Sequence, residues 1–141
     1  MEPELITDSK FSDVLEQLKK LEPIFHHPGS GGNREDFEKM TEKSFWEVGA
    51  SGRRYSRDFV LDVLEDRIAN PQKDNWQTND FFCQEIAPDN FLLTYTLIQK
   101  ERVTRRATIW RRHRAQWKIV YHQGTVVENY HLVKSKLNLK K

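Results

Sequence analysis

The chain has 141 residues, 37% of them hydrophobic and 31% charged, enough for one domain with its own core beneath a heavily charged surface. A net charge of +2 is far from the basic excess of a dedicated nucleic-acid binder. The single cysteine, Cys83, excludes an internal disulfide and a thiolate zinc cage, and no run approaches the roughly 20 apolar residues that span a bilayer.

The opening MEPELITDSK is acidic and polar, with no basic and apolar leader pattern, so a reducing, cytoplasmic setting is expected. Phe11, Val14, Leu15, Leu18 and Leu21 recur at helical spacing, with Asp8 or Ser9 as N-cap and Pro23 near the stop. The loop HHPGSGG, 26–32, lacks the lysine and hydroxyl pair of a phosphate-binding loop and reads as a linker. Asn33 is placed to cap a second, shorter helix through Phe37 and Met40.

The segment 44–56 predicts two short strands around Ala50-Ser51-Gly52. Ser56 then caps a third helix, with Phe59, Val60, Val63, Leu64 and Ile68 expected inward and Asn70-Pro71 as its end. Residues 73–79 are polar apart from Trp76 and read as a loop. From Asp80 the period changes to two. FFCQEIA and FLLTYTLIQK are joined through Pro88-Asp89-Asn90, and RVTRRATIWRRH and WKIVYHQGT through a turn near Arg114-Ala115-Gln116 that lacks the usual glycine. The expected order is α-α-β-β-α-β-β-β-β, an α+β domain over 1–127 with its helices on one face of a curved antiparallel sheet. A basic tail, 128–141, follows, and its periodicity does not settle its structure.

FWEVGASGRRYSRDFVLDVL (Phe45 to Leu64) and RRATIWRRHRAQWKIVYHQGT (Arg105 to Thr125) resemble the nuclear transport factor 2-like, or SnoaL-like, superfamily of cone-shaped folds. Within it they look most like the branch called domain of unknown function 4440, and the ending is also similar to the association domain of calcium/calmodulin-dependent kinase. The resemblance implies a homodimer formed through the sheet and a cavity between sheet and helices. It implies no single chemistry, since the superfamily includes isomerases, cyclases, dehydratases, transport factors and oligomerisation modules.

Alternation puts Trp117, Ile119, Tyr121 and Gln123 on one face of the last strand and Lys118, Val120, His122 and Gly124 on the other. On the preceding strand Arg106, Thr108 and Trp110 share a face. Similarity to the kinase association domain implies that Arg106, Thr108, Trp110 and His122 point into the cavity. An imidazole titrates near neutrality, so His122 is the candidate acid or base, with Glu47 on the first hairpin as its partner. Arg106 suits an anionic group, Thr108 and Trp110 line a wall, and Tyr55 and Tyr95 offer phenol donors. The bland reading is that His122 only bonds a backbone carbonyl and Trp110 only fills the core. The superfamily's steroid isomerases use carboxylates, whereas the matching inward positions here hold threonine, arginine or histidine.

No histidine, cysteine or carboxylate spacing points to a metal, and no cofactor is expected. Three readings stand side by side. One is a small-molecule pocket protein, with or without lyase, isomerase or hydrolase activity through His122. Another is a noncatalytic homodimerisation or ligand-binding module. The weakest is nucleic-acid binding through Arg102, Arg105, Arg111, Arg112 and Arg114 and the tail lysines, because alternation splits those arginines between two faces.

Overall fold

Asp8 accepts a hydrogen bond from the backbone of Lys10 and starts a 3-10 turn, Ser9–Phe11, that leads into helix α1, Ser12–Leu21. In this computed structural model residues 2–25, 33–71 and 75–128 are described. The sequence readings at His26, His27, Gly32 and the tail beyond Glu128 lie outside them. Val14 and Leu18 bury the core face of α1, and a second 3-10 turn, Glu22–Phe25, follows at Pro23. Asn33 and Asp36 close a reciprocal capping box on helix α2, Arg34–Met40.

Strand β1, Thr41–Val48, begins directly after α2, and β2, Arg54–Ser56, pairs antiparallel with it. Ser56 caps helix α3, Arg57–Ala69, through the backbone N–H of Phe59. The core face of α3 is Val60, Leu61 and Leu64. Phe59, expected inward, is instead 49% exposed and stacks on Tyr55.

The long strands are β3, Trp76–Ala87, β4, Asn90–Gln99, β5, Val103–His113, and β6, Gln116–Val126. β3 takes in Trp76 to Asn79, which the polar composition had suggested as loop; their backbone groups pair with β4 from Gln99 to Thr96. The sheet order is β2-β1-β6-β5-β4-β3. β3 to β6 form the expected antiparallel meander, but β1 joins β6 in parallel, so the sheet is mixed. The three helices cover one face, where Phe37, Phe45, Leu93, Leu97 and Ile119 meet the helical core residues. Thr7 accepts from the Cys83 backbone on the edge strand β3, and Glu2 pairs with Arg105 on β5 at 2.7 Å, which ties the N-terminal segment to the sheet.

One irregularity decides the polar interior. Across β5 and β6, Ile109 opposes Tyr121 while Trp110 opposes Ile119, which leaves Val120 as an extra residue in a bulge. Simple alternation, which separates Ile119 from His122, therefore fails. Both are buried on the helix-covered face, 0% and 1% exposed. Before Val120, Trp117 and Ile119 face the core, and after it His122 and Gly124 do.

Candidate functional site

The centre of the polar interior is a residue that sequence reading passed over. Glu22 stands four residues after Leu18, on the buried stripe of α1, where Pro23 tightens the chain into its 3-10 turn. It is 1% exposed. Tyr95 on β4 donates its phenol to Oε2 at 2.7 Å, Thr108 on β5 donates to the same oxygen at 2.9 Å, and the Trp110 indole donates to Oε1 at 3.0 Å.

Two opposed effects set the protonation of Glu22. Burial removes the hydration of a carboxylate and pushes its pKa up, while the three donors and the charge of Arg106 pull it down. Burial wins, and the carboxyl is raised to about 7. Its place at the C-terminal end of α1, where backbone carbonyls disfavour negative charge, acts in the same direction as burial. Burial, then the neighbouring Glu22 charge, also holds the Tyr95 phenol well above its ordinary value, so Tyr95 stays a neutral donor.

His122 belongs to the same network, one step removed. Its Nδ1 lies 2.7 Å from Thr108 Oγ1 and 3.8 Å from Glu22 Oε2. A threonine hydroxyl has one proton. When Glu22 is a carboxylate, Thr108 donates that proton to it and accepts from His122, which in this state assigns the imidazole proton to Nδ1. The chain of donors runs from imidazole through hydroxyl to carboxylate.

Arg106 flanks this network. It is 9% exposed, and its Nε donates to Thr104 at 2.9 Å. Its guanidinium lies across the bare backbone of Gly124, its neighbour on β6. Glu47 on β1 is in register with His122 on one side and Tyr55 on the other. Burial raises the Glu47 carboxyl, while the charges of Arg106 and Arg67 lower it. Arg106 thus stands in the field of two carboxyls, the buried Glu22 and the half-buried Glu47. The Tyr55 ring stacks on Phe59 with centroids 4.8 Å apart, and its edge fills the space a side chain at Gly49 would need.

A cavity of about 80 Å³ opens beside Glu22, walled by Lys19, Pro23, Trp76, Thr78, Phe81 and Tyr95. Phe81 and Tyr95 are stacked, with centroids 4.9 Å apart, and the Lys19 ammonium sits 5.1 Å from the Phe81 centroid. Of the residues expected to touch a ligand, Tyr95 lines this cavity. Thr108 and Trp110 stand behind Glu22 and His122 behind Thr108, while Arg106, Glu47 and Tyr55 belong to the β1 side of the interior. Glu22 was detectable in principle, as a carboxylate on an apolar helical stripe. Lys19, Phe81 and Trp76 carried no such signal.

Three arginines of the β5–β6 hairpin are tied into the fold. Arg105 pairs with Glu2 and Asp80, Arg111 with Glu42 and Arg112 with Asp89, and Arg112 also lies over the Phe91 and Trp117 rings. Cys83 is buried, and burial raises its thiol to about 11, a packed and unreactive state. Among the described residues no group of three or more His, Cys, Asp and Glu is disposed to hold a metal ion, and no helix is long and apolar enough to cross a membrane.

No protein-family model matches the chain, and no curated protein matches it. Solved structures do. An uncharacterised protein with a cystatin-like fold from Caulobacter vibrioides superposes over 94% of this chain and 100% of its own, with TM-score 0.68 and 14% identity. A nuclear transport factor 2-like protein of unknown function from Silicibacter pomeroyi covers 82% of this chain and 98% of its own, with TM-score 0.60 and 18% identity. A nuclear transport factor 2-like protein from Cytophaga hutchinsonii covers 86% of this chain and 100% of its own, with TM-score 0.61 and 14% identity. Likeness at such low identity is a likeness of fold. This chain has the nuclear transport factor 2-like α+β fold.

Proposed function

We propose that this chain is a small-molecule pocket protein that transfers a proton through Glu22, an enzyme of the isomerase or lyase kind. The observation that carries the reading is a fully buried carboxyl, raised to about 7, in the wall of a cavity. A general acid or base works best when its pKa lies near the operating pH. Thr108 and His122 hold the carboxyl and supply protons from behind it, and Tyr95 is a neutral donor at the cavity edge. The acid/base part first considered for His122 passes to Glu22, because His122 meets the carboxyl only through Thr108. Arg106 and Glu47 set the charge of the interior. We also assign the chain to the domain of unknown function 4440 branch, on the segments Phe45 to Leu64 and Arg105 to Thr125, and to the cytoplasm.

The test is deuterium exchange of small enolisable ketones in heavy water, followed by proton NMR. The intact protein should speed exchange at the carbon next to the carbonyl, and Glu22→Gln should lose about 100-fold or more of that acceleration. Equal rates for the two proteins would overturn the reading.

A second copy of the chain is the proposed partner, docked on the helix-free face of the sheet. Leu92, Ile109, Tyr121 and Trp46 are consecutive register neighbours across β4, β5, β6 and β1, an apolar row that is half-buried at its first three members and exposed at Trp46. Trp46 is 44% exposed and lies 4.8 Å from the Tyr121 ring. A row of this kind suits a self-complementary interface. Sedimentation should give a dimer mass that Ile109→Asp lowers to that of the monomer; a monomeric native chain would rule this partner out.

A further inference from the structure

We infer that the cavity beside Glu22 takes a short-chain oxo acid, with the ligand carboxylate on Lys19 and its carbonyl-activated carbon against Glu22. The inference rests on the proton-transfer reading of Glu22 and adds the class of substrate. Lys19 and Glu22 are three residues apart, so they rise on one face of the same helix end and line the same cavity. Lys19 is the outer of the two: its side chain is 38% exposed, while Glu22 is enclosed. An ammonium at the mouth and a carboxyl at the floor, with Trp76, Phe81 and Tyr95 between them, define a ligand with an anionic end and a short apolar span.

Volume sets the length. An apolar cavity of about 150 Å³ accommodates benzene, so about 80 Å³ holds on the order of three heavy atoms. The anionic group then lies outside that volume, at the mouth, where Lys19 stands. Lys19 is free to turn toward it, because its contacts are weak ones: a 3.7 Å pair with Glu16, itself 65% exposed, and the face of Phe81. Among the described residues Lys19 is the one cationic group in the cavity wall, and it selects against ligands carrying an ammonium at the mouth.

In the proposed step the Glu22 carboxylate takes a proton from the carbon beside the ligand carbonyl. The C–H bond breaks, its electron pair forms the carbon–carbon double bond, and the carbonyl oxygen becomes an enolate. Return of that proton from the Glu22 carboxylic acid to carbon reverses the sequence; in heavy water the acid first exchanges its proton for a solvent deuteron and then delivers the deuteron to carbon. As Glu22 takes up the proton, the Tyr95 phenol, which had donated to its carboxylate, turns its one O–H to the enolate oxygen.

2-Oxobutyrate and butan-2-one share their chain and differ only in a carboxylate against a methyl group, so their C3 exchange isolates the role of the anion. Each rate is taken as acceleration over buffer, for the native chain, Lys19→Met, Lys19→Gln, Lys19→Arg and Glu22→Gln. The native chain should favour 2-oxobutyrate at least tenfold. Either neutral variant should bring that ratio close to one through a raised KM, and Lys19→Arg should restore much of it. Glu22→Gln should abolish exchange of both compounds. If the ratio is one in the native chain, or is unmoved in both neutral variants, the oxo-acid assignment falls while Glu22-dependent exchange stands. If neither compound exchanges faster than with Glu22→Gln, both fall. Competition by n-propylammonium as strong as by propionate would overturn the assignment by marking the aromatic walls as a cation site.

Discussion

Gly124 and Arg106 are built for each other: a β-carbon placed on Gly124 would stand 2.6 Å from Nη1 and 2.8 Å from Cζ of the Arg106 guanidinium. The glycine is therefore a slot for a cation, not a turn device. Gly124→Ala should force the guanidinium aside and cost about 1–3 kcal/mol, the usual range for an overpacked site. With Arg106→Ala already present, the same alanine should cost much less. Denaturant unfolding of the two single variants and the double variant measures the coupling; additive losses would refute the contact.

Glu22 should leave a signature in the pH dependence of stability. Its carboxyl titrates near 4.5 when unfolded and about 7 when folded, so the native state holds the proton more tightly. Its stabilising contribution is complete below the unfolded pKa and is lost as pH rises through about 7. Over that window the native chain should lose roughly 3 kcal/mol relative to Glu22→Gln, at 1.36 kcal/mol per pKa unit. Arg106, Tyr95 and His122 face the same carboxyl and Lys19 shares its cavity, so the difference between the two proteins, not the native curve alone, is the measure. Parallel stability curves from pH 4 to 8 would show that Glu22 titrates as an ordinary carboxyl.

Thr108 is the joint between imidazole and carboxyl. Thr108→Val keeps the shape but removes the hydroxyl, leaving His122 Nδ1–H and Glu22 without that partner, at a cost of about 1–3 kcal/mol. Thr108→Ser should restore most of it. Loss of the Thr108 donor should also raise the Glu22 pKa further. Long-range nitrogen NMR on the native chain should find the His122 proton on Nδ1; finding the Nε2–H tautomer would break the relay as described.

The β5–β6 turn holds two non-glycine residues with positive φ, Arg114 at 51° and Ala115 at 64°. That is the backbone twist a two-residue hairpin prefers, imposed on side chains that disfavour it. Ala115→Gly should therefore stabilise the chain by about 0.5–1 kcal/mol, despite the added freedom of the unfolded state. Thermal unfolding checks the sign, and a lower melting temperature would contradict it.

The order of elements was legible because each is marked locally. Asn33 and Ser56 cap their helices, the apolar period changes from helical to alternating, and Pro88-Asp89 turns the chain. Trp76 to Asn79 joined the sheet against their polar composition, since pairing with β4 satisfies their backbone whatever the side chains. Phe59 went to solvent and Leu61 to the core because α3 is rotated by its packing on β1. Strand parity put Arg106, Thr108 and Trp110 on one face, and the resemblance to the kinase association domain, not parity, turned that face and His122 inward, where all four are buried. Parity failed at Ile119, where one extra residue, Val120, turns the remainder of β6 over.

By itself, then, the sequence determined the elements, their sequence order and the resemblance to a cone-shaped fold, because capping, turn chemistry and periodicity act over a few residues. Glu22 was decided by tertiary structure alone. Its three donors lie 73, 86 and 88 residues away, and only closure of the sheet against α1 brings them to one carboxyl. The same closure strips that carboxyl of water, and desolvation is a property of the surrounding volume that no short run of residues encodes.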